Sequence, residues 1–210
     1  MRSLLIAALL AAAPVSAPLA KAETAIYAGG CFWCVESDLE SVKGVRSVVS
    51  GYAGGKTANP TYQTYHDGGH REVVKVDFDE TKISYAQLTA IFLRTIDVLD
   101  DGGQFCDRGH GYTPAIHALD AAQDAAAKVA IAEGEKVVGR RFHVPVEGAV
   151  PFTAAEAYHQ DYYKGTKLQL TRFGVIRQSE AYKNYRHACG RDDVVKRLWG
   201  DQAYQGVALH

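Results

Sequence analysis

Methionine is all but missing from this chain: Met1 is the only one in 210 residues. Once the initiator is removed, no thioether remains that could be oxidised. A basic surplus is also lacking, since 23 lysines and arginines face 24 aspartates and glutamates, which excludes a dedicated nucleic-acid partner. Cysteines number four, and no second CxxC or paired His/Cys cluster accompanies Cys31 and Cys34 to complete a zinc tetrahedron, so no metal site is expected. With six prolines and no low-complexity block, nothing divides the chain, and one domain with one sizeable core is expected over residues 23–210.

The first residues stand apart. Arg2, an apolar run from Leu4 to Ala13 and then Ala20-Lys21-Ala22 fit a signal peptide over residues 1–22, cleaved after Ala22. Pro14 and Pro18 close the run well short of the roughly twenty residues that span a bilayer, so no membrane attachment is expected after cleavage. Loss of Arg2 and Lys21 leaves 21 basic against 24 acidic residues, a net charge near −3. The expected product is an exported, periplasmic monomer in which disulfides can persist, so an active-site thiol there needs a supplied reductant.

Gly29-Gly30-Cys31-Phe32-Trp33-Cys34-Val35-Glu36 carries the chemistry. Ala25 to Ala28 reads as a strand, the glycines as a bend and the following residues as an amphipathic helix. Cys31 then sits at a helix N-terminus, where free N–H groups and the helix dipole favour a thiolate and predict a lowered pKa. Cys34, one turn on, can resolve an oxidised species on Cys31. A structural disulfide and a thioredoxin-like CxxC remain open alternatives.

Val45 to Ser50 alternates as a strand, and a Gly/Pro/Tyr-rich loop through Asn59-Pro60-Thr61-Tyr62 follows. Over Arg71–Asp79, Val74, Val76 and Phe78 share one face, and Glu72 has their parity. A carboxyl ending a buried row keeps its proton to higher pH and suits a general acid; if the strand starts later, Glu72 is solvated instead. Ser84 to Gln87 is a capping box for a helix ending near Ile96. The Asp97–Thr113 loop, with Cys106, Asp107 and Tyr112, is too long for a plain connector. Ala115 to Leu119 reads as a strand, and Asp120 caps a helix reaching about Glu133. The order matches an α+β two-layer sandwich with a ferredoxin-like βαββαβ core and a mixed or antiparallel sheet. Beyond it, a strand at Phe142–Val146, a capping box at Thr153–Glu156 opening a helix over Tyr158–Tyr163, an irregular C-terminal extension with a mixed helical stretch, and a last helix capped by Asp192 or Asp193 are expected.

Gly30-Cys31-Phe32-Trp33, Gly51-Tyr52, Asn59-Pro60-Thr61-Tyr62, Gly69-His70-Arg71-Glu72, Asp107-Arg108-Gly109-His110-Gly111-Tyr112 and Tyr158-His159-Gln160-Asp161-Tyr162, in this order, closely resemble the type A peptide methionine sulfoxide reductases. The resemblance implies cofactor-free reduction of the S epimer of methionine sulfoxide, free or in proteins, with a thioredoxin-like donor. It implies Cys31 as nucleophile, Glu72 as acid, Phe32 and Trp33 as walls for the S-methyl group, and Tyr62, Asp107 and Tyr112 as groups holding the sulfoxide oxygen, Glu72 or water. Two departures stand out. Cys34 replaces the family's usual glycine, which favours local resolution over Cys189, whose place in the tail echoes the usual recycling cysteines. Thr113-Pro114 stands where arginine and serine are commoner. A Cys106–Cys189 disulfide would account for the remaining cysteines. The rival readings are a thiol–disulfide oxidoreductase of the thioredoxin class, using Cys31 and Cys34 without Glu72, and a binding module stapled by two disulfides.

Overall fold

The computed structural model describes residues 22–208; the expected leader, up to Lys21, lies outside them. The elements run β1 (Ala22–Ala28), α1 (Phe32–Glu40), β2 (Val45–Ala53), β3 (Arg71–Asp79), α2 (Tyr85–Leu93), β4 (Gly103–Gln104), β5 (Asp107–Arg108), β6 (Ala115–His117), α3 (Ala121–Val138), β7 (Val146–Glu147), β8 (Phe152–Ala154), β9 (Leu168–Thr171), β10 (Gly174–Arg177), α4 (Gln178–Ala188) and α5 (Arg191–Trp199), with short 3₁₀ turns between some of them.

Six strands form the main sheet in the order β7-β6-β1-β3-β2-β8. Its middle four, β6-β1-β3-β2, pair antiparallel throughout, and β7 joins β6 in parallel. This is the expected ferredoxin-like arrangement, because α1 carries the chain across β3's future place and leaves a slot that β3 fills. Alternation decides the faces. Ala25, Tyr27, Val74, Val76 and Phe78 join Leu39, Leu88, Phe92 and Ala127 in the main core, while Ile26, Ala28 and Val73 point to a smaller cluster under Phe152. Tyr27 stacks on Phe92 with ring centroids 4.5 Å apart. Each such fully buried large side chain stabilises the fold by about 1.5–3 kcal/mol.

Caps fall where the sequence places them. Ser84 Oγ accepts from Gln87 N–H at 3.2 Å and Gln87 Oε1 from Ser84 N–H at 2.9 Å. Asp120 Oδ1 accepts from Gln123 N–H at 2.8 Å. The helix behind Asp120 continues past Glu133 to Val138. Gly134 is no terminus: a Cβ there would lie 2.7 Å from the Phe142 ring and 3.0 Å from Trp199, so the glycine lets those rings pack on the helix.

Later expectations need correction. The strand is Val146–Glu147, not Phe142–Val146; Phe142 instead turns its ring onto Trp199 at 5.7 Å. No helix spans Tyr158–Tyr163. Glu156 spends its carboxylate on Tyr52 OH and Tyr62 N–H, both at 2.9 Å, rather than on a box with Thr153. Asp161 adopts a left-handed backbone and donates its N–H to Glu36 Oε1 at 3.0 Å, so only the 3₁₀ turn Tyr162–Lys164 forms. The tail is more regular than expected, with the β9–β10 hairpin before α4. Gly190, not Asp192 or Asp193, stands at the N-cap of α5.

Candidate active site

Cys31 is the N-cap residue of α1, and its carbonyl accepts from Cys34 N–H at 3.0 Å and Val35 N–H at 3.3 Å. The bend before it needs glycine: Gly30 has φ +81° and a Cβ there would meet Gln104 Cβ at 2.5 Å. Phe32 N–H, one of the donors left over at a helix start, reaches Glu72 Oε2 at 2.9 Å. Glu72 therefore caps the helix that presents Cys31, and β3 delivers it there because Glu72 shares the inward parity of Val74.

Glu72 is buried at 2% exposure. Burial pushes its carboxyl up to about 8, with Asp107 adding to the rise, against the bonds from Phe32 N–H and from Tyr65 OH at 3.3 Å. It is thus protonated at neutral pH. Tyr65, itself buried and stacked on Tyr52 at 5.0 Å, is a site residue that sequence reasoning missed.

The thiols depart from expectation. The Cys31 thiol is not lowered. It is pushed up, first by its hydrogen bond with Cys34, then by burial and by the charges of Cys34, Glu72 and Asp107. Cys34 is instead drawn down to about 7, by that same bond and then by the Arg191 and Arg186 cations, against its burial. The two sulfurs share a proton and titrate as one pair. Behind them Arg186 Nη1 lies 2.8 Å from Asp38 Oδ1, and Arg191, 2% exposed, places Nη2 3.3 Å from the Gly29 carbonyl. Nothing in the motif around Cys31 announces these arginines, which come from the tail.

Trp33 lies flat on Tyr162, centroids 3.8 Å apart, and its indole N–H donates to His159 Nδ1 at 3.2 Å. Burial holds His159 low, hence neutral, so Nδ1 is free to accept. His159 also packs on Phe32 at 5.0 Å and on Tyr62 at 4.5 Å. Burial also raises Asp107, with Arg191 opposing. Thr113 accepts from Arg71 Nε at 2.8 Å, which ties the departing Thr113-Pro114 segment to β3.

Cys106 and Cys189 form a disulfide across 83 residues, joining the Asp107 loop to the α4–α5 turn. Cys31 and Cys34 are free thiols. One cavity of about 440 Å³ has Cys31, Phe32, Trp33, Cys34, Tyr62, Glu72, Cys106, Asp107, Tyr112 and Cys189 on its walls. The residues expected to react, to bind the sulfoxide or to recycle the thiols therefore line one cavity. Arg186, Arg191, Tyr162 and part of β9 also line it.

This chain matches the peptide methionine sulfoxide reductase family over residues 23–201. It is 51% identical over 189 residues to peptide methionine sulfoxide reductase MsrA 2 of Rhizobium meliloti, covering 90% of this chain and 89% of that one. With the protein of the same name from Caulobacter vibrioides it shares 41% over 207 residues, 95% of this chain and all of the other. Among solved structures, reduced Mxr1 from Saccharomyces cerevisiae superposes with a TM-score of 0.64 at 25% identity, covering 75% of this chain and 93% of that one. Methionine sulfoxide reductase A of Corynebacterium diphtheriae gives 0.61 at 25% identity, over 68% and 74%. Motif, fold and whole-length similarity agree: the chain belongs to the peptide methionine sulfoxide reductase family.

Proposed function

We propose that this reductase takes the S epimer of methionine sulfoxide, free or within polypeptides, to methionine, with Cys31 as nucleophile, Glu72 as acid and Cys34 as resolving thiol. The 2.9 Å bond from Phe32 N–H to Glu72 carries the reading, because it sets the proton donor beside the start of the helix that bears the nucleophile. A sulfoxide oxygen leaves only when protonated, and a thiol attacks only when ionised. Glu72 keeps a proton while the dithiol has given one up, so both conditions hold near neutrality.

Reaction starts from the form of the dithiol that has lost one proton, with the thiolate on Cys31. The Cys31 thiolate attacks the sulfoxide sulfur and Glu72 gives its proton to the oxygen. The hydroxyl then moves from the substrate sulfur to the Cys31 sulfur as the substrate S–O bond and the new Cys31–substrate S–S bond break, so methionine departs with the sulfur electron pair and Cys31 is left as sulfenic acid; the substrate is reduced by two electrons and Cys31 oxidised by two. Cys34 then bonds to Cys31, the hydroxyl leaves as water with the Cys34 proton, and Glu72 is reprotonated from solvent. The Cys106–Cys189 disulfide withholds Cys189 from this step, which supports local resolution. A thioredoxin-like dithiol returns the Cys31–Cys34 disulfide to thiols.

Phe32 and Trp33 offer an apolar wall for the methyl group. Glu72, with Tyr62, Tyr112 and Asp107, offers the polar wall for the oxygen. Opposed walls seat one hand of a sulfoxide. The leader supports export to the periplasm, with cleavage after Ala22, and the working unit is a monomer free of the membrane. Each epimer incubated with the protein and excess dithiothreitol tests the reading: the S form is consumed and the R form persists. Consumption of neither, or of both alike, contradicts it.

A further inference from the structure

The hairpin of β9 and β10 carries an apolar face that the fold does not cover. Its register pairs Leu170 with Val175 and Leu168 with Arg177, which puts these four side chains on one face. The alternate residue Ile176 packs inward against the cluster of Cys34, Tyr162 and Tyr182. A ribbon with one face anchored normally turns polar groups to water on the other. Here Leu168, Leu170 and Val175 are 69%, 85% and 65% exposed. Contiguous exposed apolar side chains of this kind mark a surface that something covers.

Three observations say what covers it. Residues 169 to 172 of the same hairpin form a lip of the cavity that holds Cys31 and Glu72, so the patch is continuous with the reaction site. Among the described strands β9 and β10 pair only with each other, which leaves an edge that an extended chain can join by backbone hydrogen bonds. From Thr166 to Arg177 the segment has Lys167, Arg172 and Arg177 and no acidic residue.

We propose that this hairpin is a docking ledge for the polypeptide flanking the oxidised methionine, taken as an extended segment with apolar neighbours and an acidic residue nearby. The proposal rests on the sulfoxide reductase reading of the cavity. A methionine side chain inserted there continues as main chain on both sides, and the lip is the first surface that chain meets. The ledge therefore directs the enzyme to oxidised methionines in unfolded apolar segments rather than to the free amino acid.

The test uses the full mature protein with dithiothreitol and two S-sulfoxide substrates: N-acetyl-methionine sulfoxide amide, and a nonapeptide with leucine and valine beside the sulfoxide and an aspartate near each end. Leu168→Ser with Val175→Ser is expected to raise KM for the nonapeptide about tenfold, equivalent to about 1.4 kcal/mol, with kcat and the small-substrate KM unchanged. Lys167→Glu with Arg177→Glu, a second variant that keeps Leu168, Leu170 and Val175 in place, is expected to reverse the preference between aspartate- and lysine-flanked peptides. Equal changes for both substrates, or none for either, overturn the proposal. So does a defect seen only when a thioredoxin replaces dithiothreitol, which assigns the face to the reductant, or a wild-type dimer that the variant dissociates, which assigns it to a second copy. Failure of the unaltered protein to reduce even the small substrate overturns the underlying reaction as well.

Discussion

The backbone N–H of Phe32 and Oε2 of Glu72 lie 2.9 Å apart, so the proposed proton donor is also the cap of the helix that begins beside the nucleophile. Replacing Glu72 by Gln keeps a group that can accept from Phe32 and removes the proton. Sulfoxide reduction should fall on the order of 10²–10⁴-fold, the usual worth of a positioned acid. Exchange of a small disulfide with the Cys31–Cys34 pair should continue. If reduction survives at the wild-type rate, Glu72 is not the acid.

The same variant should be more stable than the wild type in alkali. The Glu72 carboxyl is held up at about 8 by burial, above the 4.5 of an exposed group, so the native chain binds one proton more than the unfolded chain between those values. Wild-type stability therefore declines as pH rises through that window, by an amount on the order of a few kcal/mol, and Gln removes the decline. Thermal melts at pH 5 and pH 9 read this directly, with the variant's gain confined to pH 9.

Tyr65→Phe removes the hydroxyl that donates to Glu72 Oε1 at 3.3 Å. That bond lowers the carboxyl, so its loss should move the alkaline limb of the rate profile to higher pH while kcat falls modestly. A limb that moves down, or stays, contradicts the assignment of that limb to Glu72.

Cys34→Ser should allow one turnover and then stop, with a sulfenic acid on Cys31 that a dimedone adduct and mass spectrometry detect. Undiminished steady-state recycling in this variant would transfer the resolving role to another thiol. Cys106→Ser with Cys189→Ser should instead retain turnover with dithiothreitol, at lower stability. Loop entropy over an 83-residue separation predicts a loss of up to about 4.5 kcal/mol in denaturant melts.

How much of this was legible beforehand follows from the range of each interaction. The strand of Glu72, the cap at Ser84 and the helix start at Cys31 rest on periodicity and on neighbours within four residues, and they stand as read. The lowering of Cys34 was not legible, because beside its hydrogen bond with Cys31 it rests on Arg191 and Arg186, which arrive from more than 150 residues away. Tyr65 sits three residues past Tyr62 in a loop rich in tyrosine, and only the tertiary stack on Tyr52 tells the two apart. The misplaced helix at Tyr158–Tyr163 has the same origin: Glu36, far back in α1, captures the Asp161 N–H that a local helix would have used. The β9–β10 hairpin was not legible either: its strands are only four residues each, Gly174-Val175-Ile176-Arg177 does not alternate, and the tail reads as a mixed helical stretch.

Everything turns on one cavity in which a carboxyl retains its proton while the adjoining dithiol has released one. The pH dependence of kcat/KM for the S-sulfoxide with wild-type enzyme measures both at once. The account predicts a bell with an acid limb near 7, from Cys34 and its partner, and an alkaline limb near 8, from Glu72. A rate that climbs steadily past pH 9 would show that no retained carboxyl proton is needed, and would contradict it.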